Sequence, residues 1–311
     1  MFNKITKGFP HLTSLLWSLA RGKEIGFSFN LTDRCPVGCK CYWRAMDRVK
    51  EIGKSNHEAV LDFFRARKAE GKLLATIVGG EPYVNPQLLK KVVEIMPANW
   101  VVTSGTTPLM HLPKTTHFVS IDGKDSATHD EVRGMSGLYD RILQNLSCVR
   151  NEGSFPVFIH SVLNRLNFRQ IGEMVEIWED NGLADGIVFS TMTPILNGSD
   201  EKFRLTRKDR MWIVEELLVQ QKLKPDFLFM TPKMIQCLHP DFTKNQTPKT
   251  CGTARLVASY DASGVGIPQC ILSDKADCSE CGCIITAIFE SVLRFPPELA
   301  AVRILGKMYT P

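Results

Sequence analysis

A chain of 311 residues slightly exceeds the roughly 250–300 at which a single core stops growing, so one medium domain with an appendage is expected. With 44% hydrophobic and 23% charged residues it is neither disordered nor collagen-like. The net charge of +5 is a mild excess carried mainly by solvated surface. No zinc-finger or RNA-binding signature accompanies it, so nucleic acid is not expected as a partner.

Residues 1–24 form an N-terminal region in which Leu12, Leu15, Leu16 and Leu19 recur at helical spacing. Lys4, Lys7, Arg21 and Lys23 flank apolar Phe9, Leu16 and Trp17. That mix suits a helix packed on the domain or, as a sharper alternative, one lying on a membrane surface. Leu299, Val302, Ile304 and Leu305 give a similar pattern near the other end. No run of about 18 uncharged apolar residues occurs. The apolar stretch from Leu12 to Ala20 lacks a small-residue cleavage site. A cytoplasmic protein is therefore expected, with association at the inner membrane surface as the variant.

Strands are predicted at 25–31, 74–78, 100–104, 117–121, 157–162 and 186–190. Helices are predicted at 56–70, 86–96, 139–152, 169–181 and 207–221, with Asn85-Pro86 as a start and Gly71 and Gly182 as stops. The link from Ser104 to His117 is too short for a full helix. The runs ATIVG, WVVTS, FVSI and GIVFS are apolar almost throughout, as parallel strands covered on both faces are. Alternating strand and helix over about six units predicts an α/β fold: a partial (β/α)6 TIM-like barrel, with an open doubly wound sheet as runner-up. Barrel chemistry sits on loops at the C-terminal strand ends. The barrel is assigned to 25–222. Beyond it, 223–311 is expected to form a small cysteine-rich β-hairpin and helix appendage docked on the barrel. Within it, ARLVASYDASGVGIPQC reads as two strands around an Asp261-Ala262-Ser263-Gly264 turn.

Ten cysteines are many, and they are clustered. Cys35, Cys39 and Cys41 lie on the loop after the first strand; Cys251, Cys270, Cys278, Cys281 and Cys283 lie in the appendage. In a reducing compartment grouped thiols bind metal more often than they pair. Three thiolates can hold three irons of a [4Fe–4S] cluster and leave the fourth open. A zinc knuckle would want a fourth ligand close by, and the nearest, His57, starts the next helix. For the second group a four-cysteine zinc ribbon is the competing reading. Cys148 and Cys237 are expected to be packed apolar residues.

The LTDRCPVGCKCYW segment resembles the cysteine loop of the radical S-adenosylmethionine superfamily. That family spaces its cysteines C-x3-C-x2-C; here the spacing is C-x3-C-x1-C, with Tyr42 and Trp43 following Cys41. A strand-end loop is not fixed by ladder bonds, so it can absorb the change. Further matches follow in order over roughly 25–190. Gly79-Gly80-Glu81-Pro82 looks like the turn that meets the cofactor's methionyl amine. Ser104, Ser120 and Asp122 stand where the family faces the ribose. The HDEVRG segment, with Arg133, and Asn164 in SVLN also look like family positions. The second cysteine group is similar to the twitch or abbreviated SPASM appendage, which holds an auxiliary [4Fe–4S] cluster. Its ligands would be Cys251, Cys270, Cys278 and Cys281, with Cys283 spare.

The resemblance implies two [4Fe–4S] clusters and S-adenosylmethionine, cleaved reductively to a 5′-deoxyadenosyl radical that acts on an unreactive carbon. The enzyme would be an oxidoreductase or a transferase, served by a flavodoxin- or ferredoxin-like donor. The layout is distantly similar to enzymes that adenosylate hopanoid lipids, so a small-molecule or lipid substrate is expected, with peripheral membrane contact as a corollary. Two rivals stand beside it. A peptide-modifying maturase should carry a docking domain before the barrel, where about 24 residues are expected to be too few. An electron carrier or degenerate binding protein would explain the shortened spacing. No catalytic acid or base is assigned.

Overall fold

The computed structural model of the chain describes residues 23–40, 57–152, 155–196 and 201–293. The six apolar runs become β1 (Gly26–Asn30), β2 (Leu74–Val78), β3 (Ala98–Thr103), β4 (Thr115–Ser120), β5 (Val157–Leu163) and β6 (Gly186–Thr191). Every residue of β1, β4 and β6 is buried, as strands covered on both faces must be. Each of the six pairs in parallel with its sequence neighbour. The sheet order is β6-β5-β4-β3-β2-β1-β7-β8. Within β1–β6 the order never reverses, whereas a doubly wound sheet needs a switch point. Among the described residues the sheet does not close, and the architecture is the expected partial barrel.

The crossovers are α1 (His57–Ala69), α2 (Pro86–Ile95), α3 (Ser126–Arg133), α4 (Leu138–Glu152), α5 (Ile171–Asp180) and α6 (Arg207–Leu223). In α2, Asn85 accepts from Leu88 N at 3.3 Å and Leu88, Leu89, Val92 and Val93 face the sheet. The link between β3 and β4 holds no helix. Helix α3 was not among the expected elements. Asp125 caps its start by accepting from Thr128 N at 2.9 Å, and Gly134 ends it. Aromatic edges fill the core beside β1: Phe27 and Phe29 meet Phe64 with centroids 5.1 and 5.2 Å apart.

The C-terminal segment adds two strands to the sheet. Strand β7 (Val257–Tyr260) runs parallel to β1, and β8 (Gly266–Ile267) returns antiparallel to β7. The Asp261–Gly264 turn is closed by Gly264 N donating to Asp261 O at 3.0 Å, so the hairpin is real. Its predicted first strand starts late, because 252–256 form a helical turn before β7. The rest comprises α7 (Pro232–Gln236), α8 (Pro240–Thr243), α9 (Gly252–Leu256) and α10 (Ile284–Leu293). Helix α10 packs against α7, α9 and β6. It thus bridges the β6 edge and the approach to β7.

One lone cysteine differs from expectation. Cys237 is buried, but Cys148 is exposed. The buried stripe of α4 runs through Leu138, Ile142, Leu146 and Val149, and Cys148 falls one position off it. Among the described residues no helix is long and apolar enough to cross a membrane. The two terminal amphipathic patterns lie outside the described residues.

Candidate functional site

The first cysteine loop leaves the C-terminal end of β1 and is tied down at both ends. Gly80 N donates to Thr32 O at 2.6 Å and Glu81 N to Arg34 O at 2.8 Å; Lys40 N donates to Val132 O of α3 at 3.0 Å. The loop and the Gly-Gly-Glu-Pro turn touch backbone to backbone. A Cβ on Gly79, whose φ is 121°, would stand 2.5 Å from Thr32 O, and one on Gly80 would stand 2.1 Å from Arg34 O. The close approach that these glycines allow in this structure is to the cysteine loop.

Cys39 is buried and Cys35 half-buried. Burial pushes the Cys35 thiol up to about 11. Arg133 Nη1 donates to Cys39 Sγ at 3.6 Å, while its Nε pairs with Asp122 Oδ2 at 2.8 Å. Asp122 is buried; its Oδ1 accepts from Val162 N at 2.7 Å and its own N donates to His129 Nδ1 at 3.0 Å. Burial raises the Asp122 carboxyl, against the downward pull of Arg133. Cys35, Cys39, Gly79, Gly80, Asp122 and Arg133 therefore form one connected group. Cys41 lies outside the described residues.

Several other predicted positions are spent on internal bonds. Glu81 is fully buried and accepts from Tyr83 N, Thr103 Oγ1, Ser104 N and Ser104 Oγ at 3.1, 2.8, 2.6 and 2.5 Å. Glu81 and Ser104 thus hold each other, locking the ends of β2 and β3. Pro82 opens a short 3-10 turn. Asn164 accepts from Leu166 N at 2.9 Å and donates to Val162 O at 3.3 Å, shaping the loop after β5. Ser120 is buried at the end of β4. His57 is joined to Asn85 Nδ2 through its Nε2 at 2.9 Å, which ties the start of α1 to the start of α2.

The second cysteine group is docked on the end of β6. Thr191 N donates to Gly282 O at 2.9 Å, Gly282 N to Thr193 Oγ1 at 3.0 Å and Ile284 N to Ser190 Oγ at 3.1 Å. A Cβ on Gly282 would stand 1.9 Å from Thr191 Oγ1, so only glycine lets the loop lie this close. A second strap joins Leu196 N to Lys275 O at 2.7 Å and Asp277 N to Pro194 O at 2.9 Å. Cys251 heads α9 with its Sγ 3.7 Å from Thr286 Oγ1 of α10. Burial drives Cys270 and Cys281 up to about 12 and Cys283 to about 11. Charge on neighbouring thiols adds to each: Cys270 feels Cys281, Cys251 and Cys278, and Cys281 feels Cys283 and Cys251. The fold has gathered all five. Among the described residues no three His, Cys, Asp or Glu side chains converge tightly enough to hold a single metal ion.

Sequence reading passed over three features. Asn30, at the end of β1, is 1% exposed and its Oδ1 has no partner among the described residues. His160 of β5 shares a 2.8 Å hydrogen bond with Ser190 Oγ, and burial, then the charge of Arg133, lowers its pKa to about 4. Ser190 also accepts from Ile284, so this pair ties β5 and β6 to the start of α10 beside the second cysteine group. The third is Arg210, taken up below. The visible signal for the first two was a polar residue inside an apolar strand.

The described chain is an open parallel barrel of six strands with a thiol-bearing loop at the end of β1 and a second thiol group docked on the end of β6. No family model matches the chain. An AdoMet-dependent heme synthase of Methanosarcina barkeri is 25% identical over 185 residues, covering 56% of this chain and 53% of that protein. The chain thus spans about half the length of that curated relative. Streptococcus suis SuiB bound to the precursor peptide SuiA shares the fold at a TM-score of 0.64, with 15% identity over 91% of this chain and 69% of that one. A histidine-tagged anSMEcpe with bound AdoMet does so at 0.61, with 15% identity over 79% of this chain and 74% of that one. The chain is thus similar in sequence, over about half its length, to an AdoMet-dependent enzyme, and shares its fold with proteins solved with AdoMet or a precursor peptide bound.

Proposed function

We propose that the chain is an enzyme that binds S-adenosylmethionine at a [4Fe–4S] cluster held by Cys35, Cys39 and Cys41, and acts on an unreactive carbon of a small molecule or lipid. The observation that carries this reading is the anchored loop with Arg133 against Cys39. The donor set fits such a group: thiols at a strand end, with a guanidinium beside one of them to offset thiolate charge. When bound, a reduced cluster would supply one electron for reductive cleavage of S-adenosylmethionine, with methionine as the leaving group and 5′-deoxyadenosine formed by hydrogen taken from substrate. The chain's own residues position and shield. The Asp122–Arg133 pair orients Cys39, Gly79 and Gly80 admit the loop, and Glu81 with Ser104 stiffens the strand ends. Pro82, Ser120 and Asn164 complete the rim. Asn30 Oδ1 remains to accept from a ligand.

The second cluster is assigned to Cys251, Cys270, Cys278 and Cys281, with Cys283 spare, in a twitch-like region (223–311) beside the barrel (25–222). Its support is the gathering of five buried or half-buried thiols; zinc is the alternative occupant. A low-potential flavodoxin- or ferredoxin-like donor would supply the electrons, and the N-terminal charges suit peripheral membrane contact. A peptide substrate is the second reading, favoured by solved folds that hold peptides. The test is anaerobic reconstitution followed by an iron count and assay for 5′-deoxyadenosine. About eight irons per chain are expected, with about half lost in the double variant Cys35→Ala, Cys39→Ala, and no 5′-deoxyadenosine from Cys41→Ala. Stoichiometric zinc without iron would sink the reading.

A further inference from the structure

A cleft of about 720 Å³ opens between the start of α6, the loop after β5 and the turn carrying Cys278 and Cys281. Arg165, Arg204, Arg207, Arg210, Lys244 and Glu280 line it. Four of the five cations sit about half exposed at the rim, already paired. Arg165 meets Asp209 at 2.7 Å and Arg204 meets Glu280 at 2.6 Å. Arg207 and Lys244 share Asp241 at 2.8 and 3.1 Å. Such exposed pairs are worth only about 0–1 kcal/mol each and open readily to a better partner.

Arg210 differs. It is 3% exposed and pairs with no carboxylate among the described residues. One guanidinium nitrogen, Nη2, is held by Leu238 O at 3.2 Å and Cys281 O at 3.0 Å, while the buried Nε has no partner among the described residues. Glu280 and Asp277 act on this guanidinium through space, but neither forms an ion pair with it among the described residues, so its charge is met only at a distance. A buried charge without a direct ion-pair partner is costly, and a guanidinium fork matches a phosphate or carboxylate in shape.

We propose that this cleft is an oxyanion site that takes the phosphate or carboxylate group of a small molecule, with Arg210 at its floor and Arg204 and Arg207 at its rim. Because Arg210 also holds the Cys281 carbonyl, the ligand would sit against the second cysteine loop. The site does not depend on what that loop binds.

Calorimetric titration of the reconstituted protein with sodium pyrophosphate, and separately with citrate, tests it. Saturable binding near one site per chain is expected for at least one of them. Arg204→Gln and Arg207→Gln should each weaken it tenfold or more. Arg65→Gln, an exposed arginine of α1, should change nothing. Pyrophosphate alone would assign a phosphate ligand, citrate alone a carboxylate. Arg210→Lys keeps the charge but loses the fork and should bind more weakly; if it does not fold, the rim variants decide. Absence of saturable binding with both anions, or rim variants that bind like wild type, would overturn the proposal. Iron content and cofactor cleavage in the same samples report separately on the proposed enzyme activity.

Discussion

The two cysteine regions are built by different means. The first loop is held by neighbouring units of the barrel: it leaves β1, is gripped by the adjacent turn after β2, and receives a cation, Arg133, beside Cys39. The second collects residues from 251 to 283 onto the end of β6 through three hydrogen bonds centred on Ser190, Thr191 and Thr193. Its thiols raise one another, and its nearby arginine, Arg210, holds a carbonyl of the loop. A loop supported by neighbouring strand ends is preorganised by the barrel; one assembled from a distant segment leans more heavily on whatever it binds.

Backbone clashes give the sharpest way to separate the two. Gly80→Val places a side chain where Arg34 O now sits, 2.1 Å from the new Cβ. The motif alone suggests weakened cofactor binding with both metal centres kept. The packing instead predicts that the first cysteine loop is displaced, so about half the iron and nearly all cofactor cleavage disappear. An iron count on the purified variant distinguishes the two outcomes.

Gly282→Val is the mirror experiment. Its Cβ would collide with Thr191 Oγ1 and Thr191 O, at 1.9 and 2.1 Å. The second loop should leave β6, with loss of about half the iron and little change in S-adenosylmethionine affinity. Hydrogen exchange should rise in 270–283 and stay low in β1–β5. Equal loosening of both regions would erase the contrast.

Smaller effects should come from groups that stiffen the barrel end. Glu81→Gln sets an amide NH2 against two of the four donors and should cost about 1–3 kcal/mol, read as a lower denaturation midpoint. His117 tests the barrel wall away from either cysteine loop. It is buried, shares a 2.8 Å hydrogen bond with Tyr83 OH and faces His111; burial lowers its pKa from 6.5 to about 3. The unfolded chain therefore takes up the proton first as pH falls, so this residue's share of stability is lost from about pH 6.5 towards pH 3. His117→Gln should flatten the pH dependence of the urea midpoint in that window by up to one proton, whatever its effect at neutral pH.

Much of the barrel was legible because parallel strands buried on both faces must be apolar nearly throughout. That signal is local, as in GIVFS and FVSI. Helix α3 escaped notice because SATHDEVR has only two buried side chains, His129 and Val132, and no apolar stripe. The site was legible as a set of motifs, yet the partners within it were not. Glu81 with Ser104, Asp122 with Arg133, and His160 with Ser190 join residues 11 to 30 positions apart across strand ends.

The sequence by itself determined the parallel strands, their order, the clustering of thiols and the β7–β8 hairpin, since each rests on local composition, spacing or turn chemistry. Only the tertiary structure decided that β7 joins the barrel sheet beside β1 and that Gly79 and Gly80 make room for a neighbouring loop. It alone brought Cys251 within electrostatic reach of Cys283 and set Arg210, without an ion-pair partner among the described residues, at the floor of a basic cleft. Those outcomes depend on which distant surfaces meet, and burial and charge pairing, unlike periodicity, are properties of the assembled fold.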